Sequence, residues 1–228
     1  MAPRWRSERM EPHGFWQRVE DGPAPPPPHR DRFPAELPDG RILHLPLRPL
    51  EGTATALASL ILNQASFAVE DALALHLAAA LHPHAPDLLV GLPTLGLGLA
   101  AATARRLGHD RYVPLGTSRK FWYDEALSVP LRSVTSPGGG KRLYLDPRML
   151  PLLAGARIAV IDDALSTGSS MMAALDLLRL AGAEPVAIGA AMLQTRRWQG
   201  VLPPGLPVCG VFASPLLERR DDGYWPAG

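Results

Sequence analysis

The chain has 228 residues and a formal net charge of +1, which is enough length to bury the core of one α/β domain but too little charge to attract nucleic acid through an overall basic field. Its single cysteine, Cys209, excludes a disulfide scaffold and suits a reducing compartment. The N-terminus has no apolar signal-peptide core, and the apolar stretch 88–104 is interrupted by Pro93 and three glycines. We therefore expect a cytoplasmic protein that neither spans a membrane nor binds nucleic acid.

Residues 1–38 are rich in proline and arginine and include the run PAPPPPH at 23–29. Polyproline fits neither a helix interior nor a sheet ladder, so this segment is predicted to be a flexible tail with a stiff spacer. Trp5, Phe15 and Trp16 could dock on their own domain or on a partner, and the sequence leaves both open. The remaining residues, 39–228, are predicted to form one domain.

The first elements of that domain are predicted from turn residues and apolar periodicity. Asp39-Gly40 marks a turn, and residues 41–47 alternate as a strand, which nearby prolines restrict to a sheet edge. Residues 53–62 and 67–81 have helical patterns, and prolines end the second of these helices.

Short apolar strands then alternate with helices. The predicted strands are residues 87–92, 111–115, 142–146, 157–161, 185–193 and 207–213, and the predicted helices are 97–107 and 169–181. This alternation predicts an α/β fold whose mainly parallel sheet has helices on both faces. The polar stretch 116–140 interrupts the pattern, and such long loops are usually functional lids or disordered. Residues 219–222, with two arginines and two aspartates, are predicted to be an exposed tail.

Two adjacent acids, Asp162 and Asp163, follow the strand 157–161 and precede a Ser/Thr/Gly turn that opens a helix. Open α/β sheets bind ligands at the carboxyl ends of their strands, where carboxylates accept hydrogen bonds from hydroxyls or hold a hard cation. The first amides of a helix bind anions, and Gly168 lets the backbone approach closely. Either half alone is typical of an ordinary strand end or helix cap, whereas the whole string favours a site for a ribose 5-phosphate.

The string IAVIDDALSTGSS resembles the phosphoribosyl pyrophosphate (PRPP) signature of type I phosphoribosyltransferases. The resemblance implies that family's fold, with a small hood beside the sheet and a flexible lid loop at about 116–141. It also implies that Asp162 and Asp163 are the catalytic pair, holding the ribose hydroxyls with Mg²⁺ nearby. The residues implied to bind the 5-phosphate are those of the turn: Ser166, Thr167, Gly168, Ser169 and Ser170.

The resemblance covers roughly residues 40–215. LVGLPTLGLGLAAA stands where the family has its pyrophosphate loop, which implies pyrophosphate contacts from Thr94, Leu95 and Gly96. PLGTSRK resembles a segment that presents a basic pair to the pyrophosphate, often across a dimer. This second likeness implies roles for Arg119 and Lys120 and assembly as a homodimer.

The base-binding half of the site resembles the xanthine and adenine branch of the family most closely. ASLILNQASF is similar to an SFLNHQ-like segment of the xanthine enzymes, which implies that Asn63 contacts the base. Gln194 aligns with a base-pocket lysine of those enzymes, and Ser136 and Pro137 stand near the place of a lid glutamate in the adenine enzymes. These two departures leave the identity of the base open.

Only two lysines, Lys120 and Lys141, are present beside 21 arginines, and they bracket the predicted lid. We predict that at least one contacts a substrate phosphate, with chance retention as the alternative. The predicted function is therefore Mg²⁺-dependent transfer of ribose 5-phosphate from PRPP to a nucleobase, with a purine favoured, and release of pyrophosphate.

Two other functions fit parts of the sequence. A PRPP-binding sensor that has lost the chemistry is compatible with both departures, although the first 38 residues show no helix-turn-helix pattern typical of a repressor. Gly96, Gly98 and Ala101 also fit a dinucleotide fingerprint. That fingerprint requires an acid after the next strand, and Leu115-Gly116 stand there instead, so an NAD-dependent oxidoreductase is disfavoured.

Overall fold

The computed structural model describes residues 10–131 and 141–227. Within these ranges the chain forms twelve β-strands and four α-helices. The strands are β1 (Arg32–Glu36), β2 (Ile42–Pro49), β3 (Thr55–Ala58), β4 (Leu88–Gly91), β5 (Val113–Pro114), β6 (Ser128–Pro130), β7 (Arg142–Tyr144), β8 (Ile158–Leu165), β9 (Pro185–Gln194), β10 (Val208–Ser214), β11 (Leu217–Arg220) and β12 (Gly223–Pro226). The helices are α1 (Phe67–Leu81), α2 (Gly96–Arg106), α3 (Leu150–Leu153) and α4 (Ser169–Leu180).

The core sheet has five parallel strands in the order β10-β9-β8-β4-β5. Strand β4 is short and apolar, and it is buried along its whole length because both of its faces are covered. Successive residues of β8 alternate between two apolar clusters: Ala159 and Ile161 pack with α1 and α2, whereas Ile158 and Val160 pack with α4. The predicted parallel sheet with helices on both faces is confirmed.

A second sheet, called the hood sheet below, is antiparallel with the order β1-β2-β3-β11-β12. The helix predicted at 53–62 is wrong, because this segment forms β3 and then a 3-10 turn, Leu62–Gln64. The small residues of β3 alternate in burial, and strand pairing with β2 and β11 satisfies its backbone, which outweighs the helical propensity of alanine.

Two further predictions about the hood sheet are corrected. The strand β2 is internal, with β1 on one side and β3 on the other. Pro46 is tolerated there because it lies where the pairing with β3 ends, and its carbonyl still accepts a hydrogen bond from the Ser59 amide. The exposed tail predicted at 219–222 is instead the turn of a hairpin made by β11 and β12, anchored by the fully buried Leu217.

The N-terminal segment is the largest departure from the sequence prediction. A flexible tail over 1–38 is wrong for residues 10–38, because β1 pairs with β2 and the side chains of Phe15 and Trp16 are only 7% and 4% exposed. The Trp16 indole also donates a hydrogen bond from Nε1 to the Ser59 carbonyl, at 3.1 Å. Phe15 and Trp16 thus dock on their own domain, and burial of two large rings offsets the entropy lost on ordering the segment. Trp5 lies outside the described residues.

The predicted lid is only partly described. Its flanks, β6 and β7, pair with each other as a small antiparallel sheet, so the strand predicted at 142–146 does not join the core sheet. Both strands contribute to the apolar cluster beneath α4. Residues 132–140, including Ser136 and Pro137, lie outside the described residues, and the lid stays a prediction. In the described part of the chain, no helix is long and apolar enough to cross a membrane.

Replacing Trp16 with alanine is expected to lower the free energy of unfolding by about 3–5 kcal/mol, because it removes a buried ring and a hydrogen bond to the hood sheet. Chemical denaturation followed by circular dichroism measures this change. Trp225→Ala is the control, since Trp225 is only half-buried in β12 and its indole bonds to the nearby Asp222. If Trp16→Ala had the same free energy of unfolding as the wild type, the buried ring would contribute nothing, and the prediction of a flexible tail would stand.

Candidate functional site

Both aspartates lie on β8, beyond the point where its neighbour ends. The last residue of β4, Gly91, is paired with Ile161, whereas β8 remains paired with β9 as far as Leu165. The strand is therefore longer than the predicted 157–161, because β9 is long enough to pair with all of it. Residues 162–165 of β8, called the ledge below, lie beside β9 on one side and extend beyond the end of β4 on the other. Asp162 and Asp163 are the first two residues of this ledge.

The two carboxyl groups of this ledge are poorly solvated. Asp163 is buried, and its backbone amide donates to Asp162 Oδ1 at 2.9 Å. Burial raises the pKa of Asp162 well above its usual value, and the adjacent charge of Asp163 adds to this effect. Burial also raises the pKa of Asp163. Among the described residues neither carboxyl forms an ion pair. The pair is thus suited to groups that a ligand brings, either hydroxyl donors or a cation.

The loop after β4 packs directly against this ledge. The Leu92 amide donates to the Ile161 carbonyl at 2.9 Å, and the loop then leads through Thr94 and Leu95 into α2. A Cβ placed on Gly96 would lie 2.8 Å from Asp162 Cα and 2.9 Å from Asp162 Oδ1. Only glycine permits this approach. The predicted pyrophosphate-loop residues Thr94, Leu95 and Gly96 are therefore brought to the aspartates, at the N-terminus of a helix.

The turn after β8 opens α4 and forms a second anion-binding geometry. Gly168 adopts φ +84°, which reverses the chain so that α4 begins at Ser169. The hydroxyls of Thr167 and Ser169 lie 3.0 Å apart, and the Ser169 amide points to Thr167 Oγ1 at 3.4 Å. The first amides of α4 have no partner within the helix. The five predicted phosphate residues, 166–170, thus combine hydroxyls, free amides and the positive end of a helix dipole.

Trp198 supports this turn, and the sequence analysis missed it. A Cβ on Gly168 would lie 3.3 Å from Trp198 Cβ and 3.4 Å from Val201 Cβ, so the 3-10 turn Arg197–Gly200 packs behind the phosphate turn. The Trp198 indole donates from Nε1 to the Thr195 carbonyl at 3.2 Å, which holds the ring in place. The available sequence signal was one tryptophan shortly after β9, and nothing near it indicated the partner.

The three predicted basic residues, Arg119, Lys120 and Lys141, are exposed. Arg119 and Lys120 follow β5, and Arg119 Nε lies 3.2 Å from a carboxylate oxygen of Glu125. Lys141 precedes β7, where its carbonyl accepts from the Leu131 amide. Within the described residues, none of the three forms a hydrogen bond or an ion pair with the aspartates or the phosphate turn. Their predicted contact with pyrophosphate stays a prediction.

The two predicted base-binding residues lie in different surroundings. Asn63 is exposed on the 3-10 turn Leu62–Gln64. Gln194, at the end of β9, is buried and donates from Nε2 to the Ala58 carbonyl at 2.7 Å. Gln194 thus joins the core sheet to the hood sheet through one N–H of its side-chain amide.

The family model for the phosphoribosyl transferase domain matches residues 61–204, which is more than half of the chain. The chain belongs to this family. The matched region contains β4, β8 and β9, the loop at Gly96 and the phosphate turn, so the phosphoribosyl transferase domain holds all parts of the ledge described above. The hood strands at both ends of the chain lie outside it.

The names of curated relatives of this phosphoribosyl transferase chain specify different bases. A xanthine phosphoribosyltransferase of Chloroflexus aurantiacus is 32% identical over 132 residues, covering 56% of this chain and 58% of that protein. An orotate phosphoribosyltransferase of Laribacter hongkongensis is 32% identical over 132 residues, covering 58% of this chain and 54% of that protein. The chain thus spans little more than half the length of these relatives, and the two names do not distinguish a purine from a pyrimidine.

Solved structures of phosphoribosyl transferases share the fold. The crystal structure of APRTase from Giardia lamblia complexed with 9-deazaadenine has a TM-score of 0.59 and 21% identity, covering 74% of this chain and 93% of that one. This likeness confirms the predicted type I phosphoribosyltransferase-like architecture with its mainly parallel sheet.

Proposed function

We propose that the protein binds PRPP together with Mg²⁺ and transfers its 5-phosphoribosyl group to a nucleobase, releasing pyrophosphate. The observation that carries the proposal is the packing of Gly96 on Asp162. This contact brings the loop 94–96 beside the carboxylate pair. The second anion-binding turn, 166–170, begins only three residues after Asp163. PRPP has a matching arrangement, with a diol on a ring between a phosphate and a pyrophosphate.

In this proposal the ledge holds the sugar and the two loops hold its charged groups. Asp162 and Asp163 accept hydrogen bonds from the ribose 2- and 3-hydroxyls, and removal from water strengthens these bonds. The amides and hydroxyls of 166–170 bind the 5-phosphate, whereas the loop 94–96 binds pyrophosphate through its backbone. The sugar is then fixed with its C1 atom near the loop that receives the leaving group.

The donor set of the ledge fits Mg²⁺ that arrives with the substrate. Mg²⁺ in nucleotide-type sites takes one or two carboxylates and completes its shell with phosphate oxygens and water. Asp162 and Asp163 supply two carboxylates, and the described residues contain no cluster of three or more His, Cys, Asp or Glu side chains that would form an all-protein site. Bound Mg²⁺ would neutralise charge on the pyrophosphate.

The reaction needs no protein nucleophile. The bond from C1 to the pyrophosphate oxygen breaks, its electron pair leaves with pyrophosphate, and a ring nitrogen of the base bonds to C1. The proton of that nitrogen passes to water or to the released pyrophosphate. The protein contributes by aligning the base with C1 and by stabilising the positive charge that develops on the sugar. The carboxylates of Asp162 and Asp163 lie on the strand that holds the ribose, so they act on that charge as well.

We propose a purine as the acceptor, recognised by Asn63 and Gln194. One N–H of the Gln194 side chain bonds to the Ala58 carbonyl and fixes the amide, and in this proposal the Oε1 atom of that amide accepts from an N–H of the base. The exposed Asn63 amide supplies one donor and one acceptor. We further propose that the active form is a homodimer, in which the basic pair Arg119 and Lys120 faces pyrophosphate.

The experiment is to incubate the protein with PRPP, Mg²⁺ and each base of a purine and pyrimidine panel, and to measure pyrophosphate and mononucleotide. We expect release with at least one purine in the wild type and release about 100- to 1,000-fold slower with Asp162→Asn. Asp176→Asn is the matched control, because Asp176 is an exposed aspartate of α4 that pairs with Arg179. PRPP binding without turnover of any base would favour a sensor, and turnover of orotate alone would overturn the purine assignment.

Replacing Lys120 or Lys141 with alanine is expected to weaken PRPP binding by about tenfold in at least one of the two variants, through loss of a charge-assisted contact to phosphate. Titration calorimetry with PRPP and Mg²⁺ measures the change. Arg179→Ala, which removes an exposed cation on α4, serves as the control. Unchanged affinity in both lysine variants would exclude a phosphate contact for either side chain.

A further inference from the structure

Residues Phe15 to Gln17, called the N-terminal strap below, are hydrogen-bonded to three residues of the segment Ser59–Ser66. The Trp16 indole bonds to the Ser59 carbonyl at one end, at 3.1 Å. Gln17 Nε2 donates to the Gln64 carbonyl at 2.8 Å in the middle. At the other end the Ser66 amide donates to the Trp16 carbonyl at 3.0 Å, and Ser66 Oγ donates to the Gln17 carbonyl at 2.8 Å.

The strap is held in place more firmly than an exposed terminal segment would be. Trp16 adopts φ +61°, a left-handed conformation that costs free energy for a residue with a side chain. Burial of its ring and the bonds to Ser59 and Ser66 keep it there. The strap therefore acts as a rigid clamp on the 3-10 turn Leu62–Gln64, with contacts on both sides of Asn63.

The clamped segment is linked to the candidate site by a short series of direct contacts. Ser66 caps α1, accepting a hydrogen bond from the Val69 amide at 3.2 Å. The carboxylate of Glu70, in the first turn of α1, packs on Gly98 of α2. Gly98 is two residues from Gly96, which contacts Asp162. On the other side of the segment, the Ala58 carbonyl accepts from Gln194.

We propose that Trp16 and Gln17 are positioning residues for acceptor recognition. They fix the turn Leu62–Gln64, which contacts α2, so that the Asn63 amide meets the hydrogen-bonding edge of a planar heterocyclic base. This inference rests on the proposed function and assigns the specificity of that site to residues outside the phosphoribosyl transferase domain match, which begins at residue 61. We expect the strap to act mainly on the base, because its hydrogen bonds within the described residues end on the segment that carries Asn63, whereas its link to the ledge runs indirectly through α1 and α2.

The test compares steady-state kinetics of Gln17→Ala with the wild type. We expect the KM for the acceptor base to rise by about tenfold, as loss of one anchoring hydrogen bond loosens the turn, while the KM for PRPP stays unchanged. Gln17→Lys, which keeps a donor of similar reach for the Gln64 carbonyl, should recover most of the acceptor affinity. Arg18→Ala is the matched control in the same segment, because its side chain is 74% exposed and pairs only with Glu20 among the described residues.

Hydrogen exchange of the amides 62–66, measured by mass spectrometry, supplies the second readout. Faster exchange in Gln17→Ala together with a raised acceptor KM supports the proposal. Faster exchange with an unchanged acceptor KM overturns it, and so does an equal loss of affinity for base and PRPP. If Gln17→Ala does not fold, Trp16→Phe is the alternative, because it keeps an aromatic side chain in the buried position while it removes the bond to Ser59 and part of the ring. The same two readouts are measured on it.

The proposed function is tested separately, by measuring turnover and binding with the wild-type protein. A wild-type protein that turns over no base and binds no mononucleotide would exclude phosphoribosyl transfer, and it would exclude a role for the strap in recognising an acceptor. An active wild type with kinetically identical strap variants would exclude the strap's role alone.

Discussion

Replacing Asp162 with asparagine is expected to lower kcat/KM for PRPP by about 100- to 1,000-fold, because the variant keeps the shape of the ledge but loses the charge that holds the ribose and opposes the developing positive charge. Asp163→Asn should have a similar effect, and the double variant should lose little more, since the two residues act as a unit. Steady-state kinetics with the best acceptor from the base panel measures this loss. Asp176→Asn should match the wild type.

The same substitution is expected to leave the protein at least as stable as the wild type in buffer without divalent cations. Burial raises the pKa of Asp162, so the folded protein keeps this proton to a higher pH than the unfolded chain does. The stability that the carboxyl contributes is therefore complete below the ordinary aspartate pKa and is lost as pH rises through the raised pKa. Asparagine removes this dependence.

Thermal unfolding of the two proteins over a pH series measures the difference. We expect the gap between Asp162→Asn and the wild type to widen toward neutral pH in favour of the variant. A variant that is less stable than the wild type at neutral pH would show that the ionised carboxylate has a partner in the folded protein, against the unpaired ledge described above.

Replacing Gly96 with alanine is expected to lower kcat/KM by about 100-fold or more and the free energy of unfolding by about 1–3 kcal/mol. The added Cβ would lie 2.8 Å from Asp162 Cα and 3.0 Å from the Ile161 carbonyl oxygen. These are backbone atoms of an internal strand and cannot move aside, so the loop 94–96 must move away from the ledge. Steady-state kinetics measures the change in kcat/KM, and chemical denaturation measures the change in the free energy of unfolding.

Gly14→Ala is the control for this substitution. A Cβ on Gly14 would meet only Met10 Cγ, at an ordinary contact distance of 3.5 Å. If Gly96→Ala retained wild-type activity, the loop would not need its contact with Asp162, and the observation that carries the proposed function would lose its force.

The sequence predicted the strand, the glycine turn and the helix around the two aspartates because the signals for these elements are local. The apolar run before Asp162, the glycine at 168 and the helix after it all lie within about twenty residues, and each has a direct physical meaning. The position of Gly96 on Asp162 could be anticipated only as a resemblance, since the two residues meet through the pairing of β4 with β8.

Other features depend on long-range pairing that local patterns do not contain. The segment 55–58 contains two alanines and a leucine, which have good helical propensity, and it becomes a strand because β2 and β11 flank it. Gln194 was predicted to face the base, but its amide nitrogen bonds to Ala58, 136 residues away along the chain. The strap was hidden by the composition of its surroundings, because two aromatic residues were the only sign of order in a proline- and arginine-rich stretch.

Calorimetric titration of PRPP in the presence of Mg²⁺ tests most directly whether the aspartate ledge, the loop at Gly96 and the turn 166–170 form one site. We predict one binding event per chain in the wild type and in Asp176→Asn, and none in Asp162→Asn/Asp163→Asn. Undiminished PRPP binding by the double asparagine variant, or no binding by the wild type, would contradict a PRPP site on this ledge.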